Sequence, residues 1–239
     1  MKSKTAVTRK DIVVVLGCVV FLLGNLGAIG SGGRRRAKRV VCLTNLRQLT
    51  LAWTQFADDN DGFIVNGAAG YDMLGEPPWV GRCFFCEPEE QKAAIKGGTL
   101  WPYCQELRLY RCPIGYRTEM LNYAIVNSMN GSPVLTEEQG VYIKNRMEIR
   151  KPHGRAVFID EGRVPVGSYA VYYDRELWWD PPPIQHNNGV TLSFADGHSE
   201  YWKWKASYID NPDPLQTPEG REDLHRLQIA VWGKLGYIP

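Results

Sequence analysis

Three features of the 239-residue sequence predict an α+β fold. An apolar run followed by an amphipathic helical pattern occupies the N-terminal quarter. A buried-strand pattern and a hairpin pattern lie in the second half. A capped helical pattern closes the chain. With 44% hydrophobic residues, the chain has enough apolar material for a helix-on-sheet core, read as one domain with an appendage.

The appendage comes first. Residues 1–39 hold nine Lys or Arg against the single acid Asp11, a net of +8. The whole chain nets +2, so the remainder nets −6. A nucleic-acid-binding domain carries its basic patch on the folded part, so no nucleic-acid partner is expected. Basic residues flanking the uncharged run "IVVVLGCVVFLLGNLGAI" (Ile12 to Ile29) instead suit a membrane anchor. Its 18 residues are at the low end for a spanning helix. A cleaved secretory signal ending near Ala28 and Gly30 is the competing reading, and the length of the run favours retention. The sequence divides accordingly: a basic leader over residues 1–10, a transmembrane helix over 11–30, a basic hinge and amphipathic helix over 31–61, and a globular domain over 62–239.

After the hinge "GSGGRRRAKR", Val40, Leu43, Leu46, Leu49, Trp53, Phe56 and Ala57 recur at spacings of three and four. Together they form one helical face, which needs a sheet to cover. Asn60 to Gly62 should stop the helix in a left-handed cap. The "DDNDG" here fails as a calcium loop, because Gly62 falls one position early and Ala69 stands where a bidentate Glu is required.

Residues 63–120 are turn-rich. Ala156 to Asp160 ("AVFID") reads as a buried strand ending in two acids, Asp160 and Glu161. Residues 168–174 read as another strand. "WWDPPP" is a loop because three prolines exclude regular structure, and it places Trp178 and Trp179 where they would stack on a ligand or fill the core. Val190, Leu192 and Phe194 alternate with Thr191, Ser193 and Ala195; Asp196-Gly197 and "HSEYWKW" follow. Two such runs joined by Asp-Gly predict a hairpin with a two-residue turn, both turn residues at positive φ. Asn188-Gly189 marks a second turn. At the C-terminus Thr217 caps a helix, Pro218 takes its first position, and Leu224, Leu227, Ile229, Val231 and Leu235 supply its apolar side.

Six cysteines remain to be placed. Cys18 is in the apolar run, and Cys42 reads as a buried thiol of the amphipathic helix. Cys83, Cys86, Cys104 and Cys112 read as disulfides in an oxidising space, with zinc and free thiols as the alternatives; the seven residues between Cys104 and Cys112 do not suit a zinc ribbon. His186, Asp196, His198, Asp160 and Glu161 are of metal-ligand type, but no cofactor is expected, a divalent metal such as calcium being the one alternative these residues admit. Nothing local brings the two histidines together, so a structural role for His186 is preferred. No nucleophile elbow, P-loop or dinucleotide fingerprint occurs, and no enzymatic activity is expected.

His186, nine residues, then Asp196-Gly197 resembles the H-x9-D-G signature of bacterial prepilin-like proteins, a group similar to type II secretion pseudopilins and abundant in planctomycetes. "CLTNLRQLTLAWTQFADDNDG", "GTLWPY" with "LYRCP", and "FADGHSEYWKW" resemble further segments of that group, in the same order. The cleavage site is degenerate: "TRKDIVVVLGC" lacks Gly-Phe, and Val15 or Leu16 stands where the family has a Glu. The resemblance implies a pilin-like fold, with a long N-terminal helix packed on an antiparallel sheet. It implies a single-pass protein of the bacterial inner membrane, N-terminus cytoplasmic and body periplasmic. The partners would be other pilin-like subunits, or copies of this chain, in a secretion or pilus machine. An extracytoplasmic carbohydrate-binding or envelope protein is the alternative function.

Overall fold

A computed structural model of the chain describes residues 8–27, 31–72, 75–83, 86–131, 141–163, 167–209 and 214–239. Most of the basic leader expected over residues 1–10 lies outside them. Two units divide the chain, Met1–Ala37 and Lys38–Pro239. Four α-helices and a four-stranded antiparallel sheet are present among the described residues, so the α+β class holds.

In the first unit, helix α1 spans Arg9–Gly27. Thr8 and Asp11 satisfy each other at its start: the Thr8 amide donates to Asp11 Oδ2 at 2.8 Å, and the Asp11 amide donates to Thr8 Oγ1 at 3.3 Å. Ile12, Val13, Val14, Val15, Leu16, Val19 and Val20 are all exposed.

The membrane placement is corrected here. No helix among the described residues is long and apolar enough to cross a membrane, which overturns the expected single-pass inner-membrane location. The reason is length. Helix α1 opens on Arg9, Lys10 and Asp11, leaving residues 12–27 uncharged. At about 1.5 Å per residue they reach roughly 24 Å, short of a hydrocarbon core of about 30 Å. Ala28 and Ile29, the end of the apolar run, fall outside the described residues.

Helix α2 spans Ser31–Asp59. The expected hinge is therefore helical from Ser31 onward. In the second unit Cys42, Leu46, Leu49, Trp53 and Ala57 are buried along one stripe of α2. Val40 is exposed, whereas Leu43 and Phe56 are half-buried, so the stripe is rotated slightly toward Cys42 and Asn45. The helix stops as the sequence predicts: Asp61 and Gly62 take φ of 53° and 84°, and the Gly62 amide donates to the Ala57 carbonyl at 2.8 Å.

Strands β1 (Tyr123–Ile125), β2 (Ala156–Asp160), β3 (Gly189–Phe194) and β4 (Ser199–Lys203) lie in that order, each antiparallel to the next. Register pairs Tyr123 with Asp160, Ile159 with Leu192, and Thr191 with Tyr201. All of β3 is buried. Its polar alternates face α2: Thr50 Oγ1 donates to Ser193 Oγ at 2.6 Å, and Thr191 Oγ1 lies 2.9 Å from Cys42 Sγ. The hydroxyls of β3 thus serve a helix–sheet contact rather than a wet face.

Helix α3 (Pro88–Lys96) carries a capping box between Glu87 and Glu90. Helix α4 (Pro218–Trp232) is capped by Thr217, whose Oγ1 accepts the Gly220 amide at 3.1 Å, and it ends on Gly233 at φ 83°. Leu224, Leu227 and Val231 are buried, as expected of a core-facing side. Ile229 is exposed and Leu235 lies beyond the helix, so neither belongs to that side.

Residues 168–174 do not form a strand. Tyr169 and Val171 make only isolated bridges, to Val126 and Trp178. The turn of the β3–β4 hairpin is also longer than predicted. Ala195, Asp196 and Gly197 form a three-residue loop in which only Gly197 has positive φ, 94°, and its amide donates to the Phe194 carbonyl at 2.8 Å.

Candidate functional site

Four side chains from distant parts of the sequence meet behind β2 and β3. Cys42 comes from the inward stripe of α2, and Cys112 from the segment before β1. Asp160 ends β2, and His186 precedes β3 by three residues. One ligand-type atom from each lies within 4.8 Å of every other, and all four residues are buried. Antiparallel pairing accounts for half of this. Ile159 pairs with Leu192, so the end of β2 runs past the start of β3, where His186 stands.

The contacts are specific. His186 Nε2 lies 2.8 Å from Asp160 Oδ2 and 3.5 Å from Cys112 Sγ. Cys42 Sγ donates to Asp160 Oδ2 at 3.1 Å. The Tyr123 hydroxyl donates to Cys42 Sγ at 3.3 Å. The Gly162 amide holds the other carboxylate oxygen, Oδ1, at 3.0 Å, which leaves Oδ2 turned to the cluster. The imidazole is anchored through its backbone, where the His186 carbonyl accepts the Tyr201 hydroxyl at 3.0 Å.

The electrostatics follow from this packing. Burial alone would lower the basicity of His186, but hydrogen bonds to Asp160 and Cys112 overrule it and raise its pKa to about 9. Burial pushes the Cys42 thiol well above its ordinary value. The contact with the Cys42 sulfur pulls Cys112 below its own. Burial also drives the Tyr123 hydroxyl upward, so it remains a donor. The set suits metal ligation, with two sulfurs, one imidazole nitrogen and one carboxylate oxygen.

A nucleophilic relay fits less well. Such a relay uses one ring nitrogen toward the thiol and the other toward the carboxylate. Here the single atom Nε2 faces both. His186 and Asp160 side chains are 2% and 0% exposed, which leaves a substrate no approach.

The residues grouped from sequence divide into separate places. His186 and Asp160 belong to the buried cluster. Asp196 and His198 sit at the exposed hairpin tip, where His198 Nδ1 and Asp196 Oδ1 are 2.5 Å apart and His198 Nε2 is 3.3 Å from Glu200. Gly197 makes that turn. Glu161 is half-buried and lies outside the four-residue set; burial, Asp180 and Asp160 hold its carboxyl well above the usual range.

Of the four cysteines read as disulfide-forming, two are bonded and two are not. Cys83 and Cys86 are disulfide-bonded. Cys104 and Cys112 are both buried free thiols. Burial raises the Cys104 thiol to about 11. Cys112 turns instead toward Cys42 and His186. The two tryptophans also part: Trp178 packs edge-on against Trp204 and Tyr208, while Trp179 is exposed beside Tyr172. One exposed ring is a poor platform for a sugar.

Sequence reasoning missed Cys42 and Cys112 as partners of His186. A signal was present in Cys42, which the sequence already places as a buried thiol of the amphipathic helix. No family model matches the chain, and no curated protein or solved structure is significantly similar to it.

Proposed function

We propose that this chain is a non-enzymatic, pilin-like subunit that assembles with like subunits through its N-terminal helix. The observation carrying the proposal is the surface of α1, where seven aliphatic side chains between Ile12 and Val20 stand exposed. A contiguous apolar surface of this kind requires cover, and a helix that is apolar all round finds it inside a bundle of helices. The motif resemblance supplies the occupant, namely the same helix of further subunits in a type II secretion or pilus-like assembly. Support also comes from α2, which lays its inward stripe on an antiparallel sheet. The enclosure of the Cys–His–Asp cluster is consistent with a structural rather than a catalytic task.

Sedimentation velocity on the full chain tests the proposal. Concentration-dependent assemblies are expected, dissociating to monomer in the Val13→Asp/Val20→Asp variant while the near-ultraviolet circular dichroism of the body is unchanged. A wild-type chain that stays monomeric at every concentration would overturn it.

A further inference from the structure

We propose that Cys42, Cys112, Asp160 and His186 form a closed, four-coordinate zinc site that ties α2 to the sheet. Three of the ligand–ligand separations are close to those around a bound ion, and all lie within 4.8 Å. With bonds of about 2.3 Å to sulfur and about 2.0–2.1 Å to nitrogen or oxygen, the edges of a zinc tetrahedron measure roughly 3.3–3.8 Å. Cys112 and His186 are already at such an edge, at 3.5 Å. The Cys42–Asp160 and His186–Asp160 separations, 3.1 and 2.8 Å, need to open by only about half an ångström to reach it.

The donor set decides the metal. Thiolates exclude calcium and magnesium, which take oxygen ligands, and two sulfurs with one imidazole and one carboxylate select zinc. Four protein ligands and full burial leave no open position for substrate, which marks a structural site. The surrounding groups are those an anionic site needs. Zinc binding releases the thiol protons of Cys42 and Cys112 and the imidazolium proton of His186, so the ion, two thiolates, neutral imidazole and carboxylate carry one net negative charge. Hydroxyls of Tyr123 and Thr191 lie against Cys42 Sγ and offset that charge by hydrogen bonding. The Gly162 amide fixes the carboxylate so that it binds through Oδ2 alone.

Such a site also accounts for the burial of so many ionisable groups together. Without a metal, the protein encloses a carboxylate, an imidazole and two thiols at a cost that apolar residues of the same size would not incur. With a metal, the same groups are held by coordination, and binding free energy becomes folding free energy.

The test uses the full chain with the Cys83–Cys86 disulfide intact and Cys42 and Cys112 as thiols, stripped by a chelator and titrated separately with zinc and with cobalt(II). One equivalent of each should bind. Cobalt should give intense tetrahedral visible bands and a thiolate charge-transfer band, and zinc should raise the melting temperature. Cys112→Ser should lose the charge-transfer intensity of one sulfur and bind zinc at least tenfold more weakly. The hairpin variant Asp196→Ala/His198→Ala should bind as wild type does. If Cys112→Ser fails to fold, the wild-type cobalt spectrum and the hairpin variant decide the matter. A folded wild-type chain with Cys42 and Cys112 as thiols that takes up no stoichiometric metal overturns the proposal. So does uptake abolished by the hairpin variant, or a Cys42–Cys112 disulfide found by mass spectrometry in the native protein.

Discussion

The molecule contains two His–Asp pairs of nearly the same length and opposite meaning. His186 and Asp160 meet at 2.8 Å with side chains 2% and 0% exposed. His198 and Asp196 meet at 2.5 Å with side chains 37% and 34% exposed. The first pair is assembled from residues 26 positions apart and is bordered by two thiols. The second is local to one turn and is bordered by water and Glu200. Chemistry of the side chains is shared, so the difference lies in desolvation. Water already solvates the hairpin pair, and little is lost if it breaks. The buried pair has no such fallback, since removing one partner leaves the other short of a charge partner and shut away from water.

That contrast predicts the largest effect. In chelator-treated protein, His186→Ala should cost about 3–5 kcal/mol, because Asp160 is left without its imidazole. Urea denaturation read by tryptophan fluorescence measures it directly. A loss no larger than that of the hairpin pair would mean that water reaches Asp160 and that the pair is not truly enclosed.

The pH dependence sharpens the same contrast. His186 is raised in the fold from its ordinary value of 6.5 to about 9. The metal-free protein therefore holds this stabilisation in full below about pH 6.5 and loses it as pH climbs through about 9, by as much as a few kcal/mol. Cys112, held below its ordinary value, works in the opposite direction over the same window, but the larger displacement of His186 sets the sign. Zinc should reverse the slope, since it binds the deprotonated ligands and gains as pH rises. Urea midpoints across this window, with and without zinc, test both halves. Parallel slopes would show that the metal does not reside on His186.

The two regions also differ in how legible they were in the sequence. The hairpin was readable because its determinants are local: alternating Val190, Leu192 and Phe194, then Asp196-Gly197. Even so, the turn holds three residues, because a single positive φ at Gly197 suffices when Ala195 joins the loop. Helices α2 and α4 were readable from periodicity and caps. The cluster was not. Its four residues span positions 42 to 186, and only the register of β2 on β3 and the docking of α2 unite them. Ligand type alone grouped His186 with Asp196 and His198, and an expected oxidising location put Cys112 among the disulfide cysteines. Neither residue type nor location says which side chains meet, because tertiary topology decides that. The same limit applies at residues 168–174, whose strand-like composition is spent on isolated bridges around Tyr169 and Val171. The apolar run near the N-terminus misled for a different reason. Its composition suits a bilayer, but helix α1 opens on charged residues and carries only residues 12–27 of the run, short of a span.

A smaller effect probes the hairpin backbone alone. Gly197 sits at φ 94°, and a Cβ placed there meets no atom within 4 Å. Gly197→Ala therefore carries conformational strain without a clash, about 1–2 kcal/mol. Thermal denaturation measures it. Zinc uptake should be unaffected, because the turn lies outside the cluster.

The smallest effect is expected where the histidine is most visible. His198→Ala should cost about 1 kcal/mol or less, since exposed ion pairs contribute little. Its ring also stacks on Phe194, with centroids 4.4 Å apart and planes 3° from parallel. Stacking of this kind contributes about 0.5–1.5 kcal/mol and does not depend on ionic strength. Charge pairing does, because salt screens exposed charges. The cost of His198→Ala should therefore be nearly the same in dilute buffer and in molar salt. If it vanishes in salt, the hairpin pair is held by charge after all. The two His–Asp pairs would then differ only in degree of burial, and no longer in the interaction that holds the imidazole.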